Sequence, residues 1–399
     1  MRILFVADGR SPIALNWIGY FVDQGYEVHL ASTFPSAPEI ELASLHIAPV
    51  AFSSAAGGRQ TGKGGILRGV TTARMRTLVR QGLGPLTLAG AGRRLNEIIA
   101  TIRPDLVHAM RIPYEGMIAA LAQPAVPLLI SVWGNDFTLH AVSNPIMARY
   151  TRLALRRADA LHTDCHRDLR LGYEWGFERG KPGVVLPGGG GVQPEIFYPP
   201  DRPQGGKLSP FTIINPRGFR AYVHNKAFFK AIPLVLKKHP QTRFLCPTME
   251  GEAQAVDWMH TANIAHAVEL FPKIPRTQMA DLFRRAQVAV SPSSHDGTPN
   301  TLLEAMACGC FPVAGDIESI REWITDGENG LLVDPANPRA IAEGIVRALE
   351  NAELRAQAMD HNLRLVAERA EFGRVMREAE RFYRSLFIPP RSRLRKSQE

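Results

Sequence analysis

Residues 288–309 read VAVSPSSHDGTPNTLLEAMACG. The opening VAVS suits a buried strand, the centre is rich in turn formers, and TLLEAMA has the make-up of a short helix that Gly309 ends. Thr298 followed by Pro299 has the form of an N-cap with proline at the first helical position. A strand that turns straight into a helix leaves unpaired amides and the positive helix end at the C-terminal edge of a sheet, where a phosphate fits. Gly297, Thr298, Pro299, Asn300, Thr301 and Leu302 are therefore the expected contacts to an anionic ligand. Asp296 lies in the loop, and Glu304 lies about 7 to 8 Å further along the helix axis at 1.5 Å per residue. Two carboxylates so placed accept hydrogen bonds from hydroxyls of one ligand. Singly, each is equally an ordinary capping or exposed helix acid.

The same strand and helix grammar extends in both directions. Phe211–Ile214, Arg243–Cys246 and Ala267–Phe271 read as strands, with helices over Lys226–Lys238 and Thr277–Arg285. The first half opens as strand, turn, helix and strand: Ile3–Val6, Asp8-Gly9, a helix from Ser11-Pro12, and Glu27–Ala31. Apolar runs at Asp105–Ala109, Leu128–Val132 and Val184–Leu186 continue it as a parallel sheet. The expected fold class is α/β, with two Rossmann-like doubly wound domains facing a cleft. The first spans residues 1–190, a Pro- and Gly-rich linker 191–210, the second 211–371, and 372–399 form a helix crossing back to the first domain plus a basic tail.

With 399 residues and 45% hydrophobic content the chain exceeds one ordinary core. The four cysteines include Cys308 and Cys310, too close in sequence for an easy bridge, and MRILFVAD is too briefly apolar for a secretory signal. A reduced, cytoplasmic setting is expected. The longest apolar stretch, 117–133, is interrupted by Pro124 and Pro127, which argues against a membrane span. The net charge of +9 is unevenly spread: Leu42 to Asn96 holds no acid but contains Arg59, Lys63, Arg68, Arg74, Arg76, Arg80, Arg93 and Arg94. Residues 59–94 are either a solvated basic face or a surface that meets the anionic inner face of a membrane. The scarcity of aromatic residues there argues against nucleic acid. No Gly-Lys pair precedes Ser or Thr, which excludes a P-loop. His162, Cys165 and His166 have a metal-like spacing, but Asp164 and Asp168 beside them favour a capped polar helix start.

DGTPNTLLEAMACG (296–309) resembles the signature of the retaining family 4 glycosyltransferases of the GT-B fold: an acid, seven residues, then Glu in a small-residue helix. VVLPGGGGVQPEIFYP (184–199), TDGENGLLVDPANPRAIAEGIVRAL (325–349) and PDLVHAM (104–110) resemble other parts of that family. Asp296 stands where Glu is commoner. The resemblance implies transfer of a hexose-like sugar from a nucleoside-diphosphate donor to a carbohydrate or lipid-linked acceptor hydroxyl, with retention and without a cofactor or metal. In INPRGFRAYVHNKAFF (214–229), Arg217 and Lys226 match the cations that contact the donor phosphates, with Arg220 as a substitute. It further implies that Lys273 and Ile274 meet the base and Gly9 the phosphates. In ISVWGNDF (130–137), Trp133 takes the place of a histidine, and Asp136 either orients the acceptor hydroxyl or caps a helix. Arg10, His108 and Glu115 complete the acceptor side, His108 being either a cleft residue or a core imidazole. A non-catalytic sugar-nucleotide or polyanion binder of the same fold, or a UDP-sugar epimerase, fits the same residues.

Overall fold

Strand pairing in the first half is entirely parallel, as its uninterrupted apolar runs require. The computed structural model describes residues 1–50, 84–200 and 210–387. These divide into two units, one of residues 1–190 with 374–387 and the other of residues 191–373.

In the first unit β1 (Arg2–Ala7), β2 (Glu27–Ser32), β3 (Ser44–Ile47), β4 (Leu106–Ala109), β5 (Leu128–Val132), β6 (Ala160–Thr163) and β7 (Gly183–Val185) form a seven-stranded sheet in the order β3-β2-β1-β4-β5-β6-β7. The order reverses between β1 and β4, the kind of switch point where open α/β sheets bind ligands. The last helix, Phe372–Leu386, belongs to this unit from Arg374 onward and buries Val375, Met376, Ala379 and Tyr383.

In the second unit β8 (Thr212–Ile214), β9 (Arg243–Cys246), β10 (Val268–Leu270), β11 (Val288–Ser291), β12 (Phe311–Gly315) and β13 (Leu331–Val333) form a six-stranded parallel sheet, β10-β9-β8-β11-β12-β13, with its switch point between β8 and β11. Alternate residues feed opposite layers: Ile213, Phe244, Val288 and Val290 join one apolar cluster, and Ile214, Leu245 and Ala289 the other.

The structure revises three expectations. Gly191–Tyr198 is not a free linker, because Val192 exchanges backbone hydrogen bonds with Ala370 (2.7 Å) and Phe372 (2.8 Å), and Val192 and Phe197 enter the second unit's core. His162 lies in strand β6 rather than on a helix with Cys165 and His166. Strands β3 and β12 were not foreseen: the first is short and half-exposed, and the second carries Pro312 in its middle, which reads against a strand. Of the basic stretch, only Arg93 and Arg94 fall within the described residues, both exposed on helix Leu88–Ile102. The other six basic residues and the basic tail lie outside them. Among the described residues no helix is long and apolar enough to cross a membrane.

Candidate functional site

The second unit's switch point gathers the motif residues. After β8 the chain turns through Gly218 at φ +59°, a conformation that suits glycine. Two buried asparagines hold this turn: Asn215 donates to Asn225 Oδ1 (3.0 Å), and Asn225 donates to the Gly218 carbonyl (2.7 Å). Arg217 is thereby aimed across to the loop after β11, where Nη2 meets Asp296 Oδ2 at 2.5 Å and Nη1 donates to Thr301 Oγ1 at 3.0 Å. Asp296 is fixed from behind by Ser319, which donates to its carbonyl (2.7 Å).

Thr298 does not cap the helix. The helix runs Asn300–Ala307, its N-cap is Pro299, and the buried Thr298 hydroxyl instead accepts from the Trp323 indole (2.9 Å). The amides of Asn300 and Thr301 therefore have no acceptor among the described residues. A helix start without a side-chain cap carries the positive end of the helix dipole on its free amides. Buried polar atoms around the same loops also lack a protein partner among the described residues: Ser291 Oγ, Ser293 Oγ, Asn300 Oδ1 and Arg217 Nε. Such groups ask for an explanation, and a polar ligand supplies one. Lys226 and Arg220 are exposed. Lys273 is exposed as well, while Ile274 and Leu302 turn their side chains to the core and offer only backbone. Glu304 is 8% exposed and pairs with Arg276 at 3.1 Å. Burial raises its carboxyl above the usual range, and the guanidinium opposes that rise.

At the first unit's switch point lies a pocket of about 200 Å³ lined by Asp8, Arg111, Tyr114, Glu115, Trp133 and His140 among others. Tyr114 stands at φ +72°, ψ −63°, a costly conformation for a side-chain-bearing residue and of the kind that clusters at binding sites. Glu115, expected on this side, is buried and accepts from Thr33 Oγ1 at 2.7 Å. Arg10 is held by Asp8 (2.9 Å) and lies 3.7 Å over the Phe34 ring.

Other expected site residues are engaged by the protein itself. Asp136 is 1% exposed and outside the pocket lining. Its Oδ1 accepts from Arg111 (3.0 and 2.7 Å), and its Oδ2 from the amides of Ile112 (3.2 Å) and Trp133 (3.1 Å). With both oxygens engaged, it ties together the two loops that carry Arg111 and Trp133. His108 is fully buried between Ser131 and Tyr383, the core imidazole of its two readings. The Gly9 amide donates to Ser32 Oγ (3.0 Å) and is not available to a phosphate; a side chain at Gly9 would collide with Ser36. Asp164, Cys165 and Asp168 converge in the interior, but Arg167 neutralises Asp168 at 2.7 Å. Arg111, Tyr114, His140, Arg276 and Trp323 were not singled out from sequence, because nothing near them carries a spacing signal.

Residues 2–164 match the family model for Glycosyl transferase 4-like domains, and residues 201–362 match that for Glycosyl transferases group 1. A D-inositol 3-phosphate glycosyltransferase of Thermobispora bispora is 33% identical over 131 residues, 31% of this chain and 31% of that protein. The match thus spans about a third of that relative's length. A sucrose-phosphate synthase from Thermosynechococcus elongatus superposes with a TM-score of 0.73 at 16% identity, over 97% of this chain and 99% of that one. Anabaena HepE in complex with UDP and glucose superposes at 0.70 with 14% identity, over 96% and 100%. These likenesses identify the fold as GT-B. With a 4-like domain in its first half and a group 1 domain in its second, the chain belongs to the glycosyltransferases.

Proposed function

We propose that the chain transfers a hexose-like sugar from a nucleoside diphosphate to an acceptor hydroxyl, with retention at the anomeric carbon. The carrying observation is the uncapped start of helix Asn300–Ala307, with Arg217 fixed against it and unpartnered polar atoms around it. The diphosphate sits on the Asn300 and Thr301 amides, with Arg217, Lys226 and Arg220 balancing its charge. As the bond from the anomeric carbon to the diphosphate oxygen breaks, negative charge grows on that oxygen, and fixed donors stabilise it at no reorganisation cost. Asp296 holds the sugar hydroxyls and Glu304 those of the nucleoside. The acceptor oxygen bonds to the anomeric carbon from the same face, and its proton passes to the leaving diphosphate.

The first unit's pocket, with the Trp133 ring and the carboxylates of Asp8 and Glu115, has the chemistry of a carbohydrate acceptor site. Uridine is the first base to try, since HepE is seen with UDP. Calorimetric titration with UDP and GDP, followed by product stereochemistry with the matching sugar donor, tests the reading. Absence of nucleoside diphosphate binding would overturn it, and an inverted product would overturn retention.

A further inference from the structure

Glu304 presents its two oxygens unequally. Oε1 accepts from Arg276 Nη2 at 3.1 Å, whereas no donor among the described residues reaches Oε2. Arg276 is held on two further sides: Nη1 donates to Gln193 Oε1 at 2.7 Å, and its Cζ lies 5.1 Å from the centre of the Phe197 ring. Its geometry is thus set before any ligand arrives. Burial favours a protonated Glu304, and the adjacent guanidinium is what opposes it. Among the described residues, the Cys308 thiol at the C-cap of this helix also interacts with this carboxylate; it is pushed up to about 12 mainly by burial and hence neutral. A protonated carboxyl offers fewer acceptor sites to a pair of hydroxyls than a carboxylate does.

We propose that Arg276 is a positioning residue for the nucleotide: it holds Glu304 ionised, with Oε1 engaged and Oε2 presented to the vicinal diol of the nucleoside. The inference rests on Glu304 binding those hydroxyls, as proposed above. It makes Arg276 a group that acts on the ligand only through Glu304. Removing its charge leaves burial unopposed, so the Glu304 carboxyl rises further and diol recognition fails progressively as pH falls.

The test is titration of wild type, R276Q, R276K, E304Q and the R276Q/E304Q double variant with UDP, with GDP in parallel, between pH 5.5 and 8.5. The ligand's own phosphate ionisation affects all five proteins alike. R276Q is expected to gain an acid limb absent from wild type, its Kd rising about tenfold per pH unit below the displaced Glu304 pKa. R276K keeps the charge and largely suppresses the limb, and E304Q abolishes it in the double variant. An R276Q profile parallel to that of wild type would overturn the inference while leaving the donor site intact. Wild type that binds neither nucleotide would overturn the donor reading and this inference with it. Should R276Q not fold, R276M, which likewise removes the charge, carries the comparison, and an R276M profile parallel to that of wild type would then overturn the proposal.

Discussion

The hydroxyl of Tyr383, on the last helix, hydrogen-bonds Nδ1 of His108, on central strand β4, across 275 residues of sequence. The contact is one link in a buried chain. Trp17 Nε1 lies 2.8 Å from the Tyr383 hydroxyl, His108 Nε2 2.7 Å from Ser131 Oγ, Ser131 Oγ 2.8 Å from His162 Nδ1, and His162 Nε2 2.9 Å from the Leu186 carbonyl. One proton assignment satisfies every member: the indole can only donate and the carbonyl can only accept, so both imidazoles are neutral with the proton on Nε2. Burial agrees, depressing His108 well below its ordinary pKa and His162 to about 4. Fully satisfied networks in the interior specify one arrangement, and this one fixes the final helix on the first unit.

Tyr383→Phe should destabilise the first unit. It leaves the Trp17 indole without an acceptor and His108 Nδ1 without a donor, and each orphaned buried group costs about 1–3 kcal/mol. Calorimetry is expected to show a lowered first-unit transition with UDP binding retained. An unshifted melt would show that the chain of hydrogen bonds contributes nothing.

Acid should destabilise the same unit. In the folded state His162 takes up a proton only near pH 4, while unfolded it does so near the ordinary value of about 6.5. Between those values the unfolded state binds more protons, so stability rises with pH, and about 1.4 kcal/mol per pH unit is lost as pH falls through that window. His108 adds in the same direction. Urea unfolding between pH 7 and 5 measures the slope, and a flat profile would contradict neutral buried imidazoles.

Arg217→Ala should weaken UDP binding roughly ten- to hundredfold, the worth of one charge-assisted hydrogen bond at about 1.5–3 kcal/mol. It also releases Asp296 and Thr301 from their 2.5 and 3.0 Å contacts. Calorimetric Kd is the readout. A change below threefold would remove Arg217 from the phosphate site.

Asp136→Ala should lower the stability of the first unit by about 3 kcal/mol, because Arg111 loses its carboxylate partner and the Ile112 and Trp133 amides lose their acceptor. UDP affinity, carried by the second unit, is expected to hold. Preserved thermal stability with transfer activity lost would restore Asp136 to a chemical role.

Much of the fold was legible because parallel strands buried on both faces are written as short apolar runs, and because capping and breaking residues punctuate them. Arg243–Cys246, Leu128–Val132 and Val288–Ser291 are read at their observed limits. Strand β12 escaped because Pro312 contradicts local propensity, and tertiary packing overrode it. Asp296 and Glu304 were expected from their places before and within a helix that follows a strand, and Arg217 from the family resemblance.

The amino-acid order therefore determined on its own most of the alternation of strands and helices and the helix start that follows β11, since each depends on neighbours close in the chain. Tertiary structure alone decided which polar side chains remain available. Asp136 and His108 are consumed by Arg111 and by Tyr383, partners 25 and 275 residues away. The same is true of Thr298, taken from its helix by Trp323. A hydrogen-bond partner distant in sequence leaves no local trace, so whether a polar group is satisfied is a property of the folded chain.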